Sequence, residues 1–213
     1  GSSGKEVQEE WEGEVLARVA VALRCSLSAE LMVDAVVAAD GYSYERTRLD
    51  SYLPHNSSAD EVAGGGNAGV SPVTGRALGF GGGVGNNHLR NLLEAWQRTG
   101  GKGGPEWRSA VEEELKCPIT MSRMHDPVVS CDGHSYERAA IIRWLRRHPT
   151  SPKSNLVLGS KALVTNRALA AIARIYGEEE APYGEEEVPE PLPGTASDSG
   201  LRGSEAGEGA GGE

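Results

Sequence analysis

With 213 residues, a formal net charge of −10 and three cysteines, the chain has room for one ordinary domain or two small ones. Cys25, Cys117 and Cys131 form no C-x-x-C pair and are odd in number, which argues against a disulfide framework. Residues 177–213 hold 11 acids and one base, Arg202, leaving twenty of each sign elsewhere; no basic stripe that would follow a phosphate backbone is evident, and nucleic acid is not an expected partner.

From the N-terminus, residues 1–4, Gly-Ser-Ser-Gly, have the look of a cloning remnant, so further domains of a longer protein are allowed for. Residues 5–22 carry Val7, Trp11, Val15 and Val19 at helical spacing and predict a helix. Residues 23–97 open on Leu23-Arg24-Cys25, continue through the β-branched pair Val36-Val37 into an Asp40-Gly41 hairpin turn, and predict a helix bearing Leu49, Tyr52 and Leu53. A polar, glycine-rich run from Pro54 to Gly69 reads as a surface-loop insertion, and Asn86 as the cap of a closing helix. The glycines of residues 98–104 predict a flexible linker, and Pro105 the start of a helix over 105–114.

Residues 115–176 then repeat the pattern. Asp132-Gly133-His134-Ser135-Tyr136-Glu137-Arg138 begins fifteen positions after Cys117, as Asp40-Gly41-Tyr42-Ser43-Tyr44-Glu45-Arg46 begins fifteen positions after Cys25. Each copy reaches a Ser-Pro, at Ser71-Pro72 and Ser151-Pro152, and fourteen residues beyond the proline an Asn, Asn86 or Asn166. Apolar residues follow each Asn at the same offsets: Leu89, Leu92, Leu93 and Trp96 against Leu169, Ile172, Ala173 and Tyr176. Shared offsets over this length define two homologous units. Val128-Val129 predicts a strand, Ser135-Tyr136 its return, and residues 137–148 a helix with Ile141, Trp144 and Leu145 on its apolar face. The acidic, proline- and glycine-rich residues 177–213 lack the apolar content to fold and are expected to be disordered.

Cys117-Pro118-Ile119-Thr120-Met121-Ser122-Arg123-Met124-His125-Asp126-Pro127-Val128-Val129, with Asp132 to Arg138 and Thr150-Ser151-Pro152, resembles a U-box throughout; the first copy resembles one more loosely. The resemblance implies an α+β fold of two small RING-like domains built without zinc, each preceded by a helix. It implies a ubiquitin-protein ligase that binds a ubiquitin-loaded conjugating enzyme and promotes transfer to a substrate lysine with no covalent intermediate and no cofactor. Expected partners are thus a conjugating enzyme, ubiquitin and a protein substrate, with a dimer as a further state. Carried over by position, the conjugating-enzyme groove falls on Ile119, Met121, Trp144 and Pro152, and a weaker one in the first copy on Leu27, Ala29, Tyr52 and Pro72. Asn155 and Gly75 stand where some such ligases place an arginine, which keeps open a non-catalytic scaffold that uses these folds for partner binding or dimerisation.

Other chemistry fares worse. Cys117, His125, Cys131 and His134 include four plausible zinc ligands, but their first-copy counterparts are Cys25, Val33, Ala39 and Tyr42, so the fold is expected to form without the metal. Cys117 has no evident base and reads as a structural thiol rather than a thioester nucleophile. His55, His88 and His148 have no partners at suitable spacing, and the glycines from Gly79 to Gly85 fit neither phosphate-loop pattern, while their counterpart, Leu158 to Thr165, reads as plain loop. No run approaches the ~20 apolar residues of a membrane span and no signal peptide is evident, so an intracellular protein, cytoplasmic or nuclear and without membrane contact, is expected.

Overall fold

The computed structural model describes residues 3–53, 69–76, 78 and 83–177, with side chains from residue 12 onward. The insertion expected between Pro54 and Gly69, apart from Gly69 itself, the first side chains of the leading helix, and the acidic tail after Gly177 lie outside the described residues.

Two units of the same element order follow one another. The first has α1 (Ser3–Ala22), β1 (Ala35–Val37), β2 (Ser43–Glu45), α2 (Arg46–Tyr52), β3 (Val84–Gly85) and α3 (Asn87–Arg98). The second has α4 (Pro105–Glu114), β4 (Pro127–Ser130), β5 (Ser135–Glu137), α5 (Arg138–Leu145), β6 (Leu163–Thr165) and α6 (Arg167–Gly177). Each unit holds a three-stranded antiparallel sheet with its first strand central, in the order β2-β1-β3 and β5-β4-β6. Register agrees as well: Val36 lies opposite Tyr44 and Gly85, and Val128 opposite Tyr136 and Thr165. The third strands depart from the sequence expectation, since β6 falls in the stretch read as plain loop and β3 at the end of the glycine run. Both are short edge strands whose residues are only half-buried, so neither carries the alternation that marks a strand.

Matching side chains hold both units. Tyr44 donates to Asp40 Oδ2 at 2.7 Å and Tyr136 to Asp132 Oδ2 at 3.0 Å; Ser71 and Ser151 complete the two clusters. Burial together with the neighbouring Asp pushes both tyrosine pKa values well above the ordinary range. Glu45 Oε2 accepts the Val33 N–H and Glu137 Oε2 the His125 N–H, each at 2.7 Å, tying the loop before the central strand to the end of its neighbour. Arg46 and Arg138 pair with Asp34 and Asp126 at 2.7 and 2.6 Å, and Arg90 adds a further contact to Asp34. The thiols of Cys25 and Cys117 are buried and each accepts two backbone N–H groups, from Leu27 and Glu45 and from Ile119 and Glu137.

The units pair face to face about an approximate two-fold relation. Asn86 and Asn166 are fully buried; each caps its own helix by accepting from Leu89 or Leu169, and each amide also donates to the other, at 3.2 and 3.1 Å. On one side the N–H of Asn87 donates to the carbonyl of Gly133; on the other the N–H of Arg167 donates to the carbonyl of Gly41. Thus the first turn of each closing helix rests on the hairpin turn of the opposite unit. Both turn glycines have φ of 80°, and a Cβ on either would come within 2.9 Å of a carbonyl oxygen of the other unit.

The leading helices cross over in the same sense. α1 packs on α6 and α4 on α3, so each unit's first helix covers the other's last. Trp107 of α4 is fully buried, meets Trp96 of α3 edge-on with centroids 5.2 Å apart, and donates from its indole N–H to the Tyr176 hydroxyl of α6 at 2.8 Å. One hydrophobic core therefore runs through both units. The segment expected as a flexible linker is a hydrogen-bonded turn, with Gly101 N–H on the Trp96 carbonyl at 2.8 Å and Lys102 N–H on Thr99. Glycine serves there because Gly100, Gly101 and Gly104 all take positive φ.

Candidate functional site

Two loops of the second unit share one local design. In the first, Cys117 N–H donates to the Ser122 carbonyl and Met121 N–H to that of Cys117; in the second, Ser151 N–H donates to Leu156 and Asn155 N–H to Ser151. The leading side chain of each loop accepts backbone N–H groups of its own turn, Ile119 on Cys117 Sγ and Lys153 and Ser154 on Ser151 Oγ. Met121 and Asn155, each four residues on, both have φ of 58°, and their counterparts Ala29 and Gly75 have 58° and 68°. Asn and Gly suit that left-handed geometry, whereas Met and Ala occupy it under strain.

Between the first loop and α5 lies an open cleft of about 250 Å3 lined by Ile119, Thr120, Ala140, Arg143, Trp144, Arg147 and His148. Its base is fixed. The Trp144 indole N–H donates to the Thr150 carbonyl at 2.7 Å, anchoring the ring of α5 to the second loop, and His148 covers it at 4.4 Å between centroids. Ile119 and Trp144 are half-buried and pack against the core, so each has one face anchored and one toward the cleft. Of the four groove positions expected from sequence, the structure brings together Ile119 and Trp144. Met121 is 71% exposed at the tip of its strained turn and Pro152 is half-buried in the second loop; neither lines the cleft.

The first unit differs at this place. Its half-buried Leu27 and its Tyr52, 44% exposed, stand at the positions of Ile119 and Trp144, while Ala29 and Pro72 are exposed. Arg48 replaces Ala140 of the cleft floor and reaches Glu30 of the first loop at 3.2 Å, so an ion pair stands where the second unit is open. Ser51 takes the place of Arg143.

The charged rim is the part that sequence reading missed. Between residues 138 and 177 there are eight Lys or Arg residues and no Asp or Glu. Arg138 is paired with Asp126, Lys161 donates to the Leu145 carbonyl and Arg167 lies over the Tyr42 ring. Arg143 and Arg147, both exposed, pair with none of the described acids and face the cleft with His148. Counting charge over the whole folded part hid this, because the acids of α1 and α4 balance the sum. The legible signal was a four-residue arginine spacing around Trp144 in an acid-free stretch.

The four residues weighed as zinc ligands are not gathered: among the described residues no three His, Cys, Asp or Glu side chains could share a metal ion. Cys117 is buried beneath the first loop, Cys131 is exposed with its thiol on the Ser160 carbonyl, and His134 sits in the unit interface against His88 at 6.2 Å. Burial in that interface lowers the His134 pKa, with Asp132 opposing and His88 and Lys153 adding to the shift. Among the described residues no helix is long and apolar enough to cross a membrane.

Residues 111–180 match the family model of the U-box domain, and this stretch, with its sheet, two loops and intervening helix, is a U-box domain. The chain is 36% identical over 88 residues to U-box domain-containing protein 4 of Oryza sativa subsp. japonica, covering 38% of this chain and 12% of the relative. It is 47% identical over 62 residues to human WD repeat, SAM and U-box domain-containing protein 1, covering 29% of this chain and 13% of the relative. U-box domain-containing protein 54 of Arabidopsis thaliana is 42% identical over 72 residues, 33% of this chain and 23% of that protein. The chain therefore spans only a small part of the length of these relatives.

Proposed function

We propose that the chain is a ubiquitin-protein ligase whose second unit docks a ubiquitin-loaded conjugating enzyme in the Ile119–Trp144 cleft. U-box proteins are generally such ligases, and the observation that carries the reading here is an apolar cleft, pre-formed on a U-box domain, with its tryptophan locked by the Thr150 carbonyl. An anchored aromatic beside an aliphatic side chain is the arrangement in which binding energy concentrates, and fixing it beforehand avoids an ordering cost. Met121 and Pro152 border the same surface on the two loops. The ligase works by bringing a thioester and a substrate lysine together, so no residue of this chain need bond to the transferred carbonyl. The first unit is a divergent U-box whose cleft is crossed by Arg48 and Glu30; it steadies its sister and is free to hold substrate.

Autoubiquitination by the full chain over a panel of conjugating enzymes tests this. Product that depends on the chain is expected, with loss in Trp144→Ala and Ile119→Ala, since removing a central anchor commonly costs ~2 kcal/mol or more of binding. Retained activity in both variants, or no product with any conjugating enzyme, defeats the assignment.

A further inference from the structure

Arg143 and Arg147 at the rim of the second cleft pair with no acid among the described residues, and the chain itself carries a run of acids next in sequence. Residues 178–193 carry seven glutamates and no base, interleaved with Pro182, Tyr183, Val188 and Leu192. We infer that this segment folds back over the second unit's cleft, its glutamates on Arg143 and Arg147 and an apolar side chain against Trp144, and competes with the conjugating enzyme; the competition rests on the docking reading above.

Three observations support it. The exit point is right: the Tyr176 carbonyl, at the end of α6, accepts from Arg123 Nη1 at 3.0 Å, and Gly177 lies beside the same guanidinium. Arg123 follows the first loop, which carries Ile119, so the end of α6 is tied to the residue that closes that loop. Reach is ample, because an extended chain gains roughly 3.3 Å per residue and residues 178–193 could span about 50 Å. Charge and polarity both match: the cleft offers an apolar floor of Ile119, Ala140 and Trp144 with Arg143, Arg147 and His148 around it, and the segment offers apolar residues between glutamates. The first unit has Ser51 at the Arg143 position and the Arg48–Glu30 pair across its floor, so the same segment is not expected there.

A tethered competitor need not bind tightly. A short linker gives an effective concentration on the order of millimolar, so a segment whose own Kd is ~1 mM would weaken conjugating-enzyme binding by roughly two- to tenfold. Because the contacts are exposed and ionic, the effect should fade with salt.

The test uses the full chain and a full-chain variant with Glu178, Glu179, Glu180, Glu185, Glu186 and Glu187 changed to Gln. In NMR spectra at about 50 mM salt, the Trp144 indole N–H and the amides of Thr120 and Arg143 should differ between the two proteins, and the difference should vanish near 500 mM. Identical spectra at low salt overturn the proposal. Dilution separates occupants: differences that persist on dilution support the chain's own tail, and differences that disappear assign the site to a second copy's tail, against the proposal. The variant should also bind ubiquitin-loaded conjugating enzyme several-fold tighter at low salt and equally at high salt, and equal affinity at low salt refutes competition. If neither protein binds any conjugating enzyme, the docking reading fails, while the spectra still decide whether the tail occupies the cleft.

Discussion

Replacing Asn166 by Ala tests the pairing of the two units at its centre. The Asn166 side chain makes four hydrogen bonds while fully buried: it accepts from Leu169 N–H and Asn86 Nδ2, both at 3.2 Å, and donates to Asn86 Oδ1 at 3.1 Å and Ser135 Oγ at 3.0 Å. Loss of the helix cap costs about 1 kcal/mol. Leaving the Asn86 amide and the Ser135 hydroxyl buried without this partner adds about 2 kcal/mol more, for roughly 3 in all. Asn86→Ala should cost about 2 kcal/mol, because Asn166 would keep its bonds to Leu169 and Ser135. In the double variant neither amide is orphaned, so the total should be about 3 kcal/mol rather than about 5, a coupling near −2 kcal/mol. Urea unfolding of the full chain, followed by tryptophan fluorescence, measures all four corners of this cycle. Additivity within about 0.5 kcal/mol would mean that the amides do not meet in solution, and the face-to-face pairing would be wrong.

Gly133→Ala should destabilise by about 2 kcal/mol or more and Gly100→Ala by about 1 kcal/mol, since both residues have positive φ but only Gly133 would drive a Cβ to 2.9 Å from the Gly85 carbonyl of the other unit; equal urea midpoints would contradict that close approach. Cys117→Ser should keep ubiquitination activity, because a hydroxyl can accept the Ile119 and Glu137 N–H groups that the thiol now accepts, and an inactive but folded variant would restore a thioester role. Burial holds His134 below the ordinary histidine pKa of about 6.5, so the unfolded chain takes up its proton first and stability should fall as pH drops from about 7 through that value toward the folded one. His134→Tyr, which installs the residue found at the matching Tyr42, should flatten that dependence in pH-stepped urea melts; an unchanged slope would place the titration elsewhere.

The repeat was legible because local chemistry recurs at fixed offsets. Each Asp-Gly turn, each Tyr that answers its Asp, each Cys at a loop entrance and each capping Asn performs the same bond in both units, and those bonds are short-range enough to leave a sequence pattern. What stayed hidden depends on long-range partners. Asn86 and Asn166 were recognisable as caps through one face of the amide, but the other face, 80 positions away in sequence, left no local mark. Trp107 was simply a helix residue until α3 and α6 came to it. The glycines after Thr99 suggested flexibility because positive φ and mobility use the same residue, and only the bond from Gly101 N–H to the Trp96 carbonyl separates the two. In the cleft, Ile119 and Trp144 were placed by resemblance, whereas Arg143 and Arg147 were passed over because charge was summed over too long a window.

The two kinds of residue fall on different surfaces, and this separates stability from recognition. The pairing face is built from the hairpin turns, the starts of α3 and α6 and the leading helices, while the cleft is built from the first loop and α5, with Thr150 of the second loop as the anchor. The bonds that fix the centre of the pairing face and each sheet come from the same side chains in both units, Asn86 and Asn166, Gly41 and Gly133, Tyr44 and Tyr136, Cys25 and Cys117, while Asn87 and Arg167 or Trp96 and Tyr176 differ at the margins of that face. Around the cleft they differ at nearly every position, Leu27 for Ile119, Arg48 for Ala140, Ser51 for Arg143 and Tyr52 for Trp144. Exposed or half-exposed positions can change at little cost to folding, whereas an orphaned buried amide or a Cβ forced into the opposite backbone cannot. The scaffold therefore holds both units to one geometry and leaves each cleft free to diverge. Two clefts of different chemistry on one shared frame are the outcome that such a division of constraints permits.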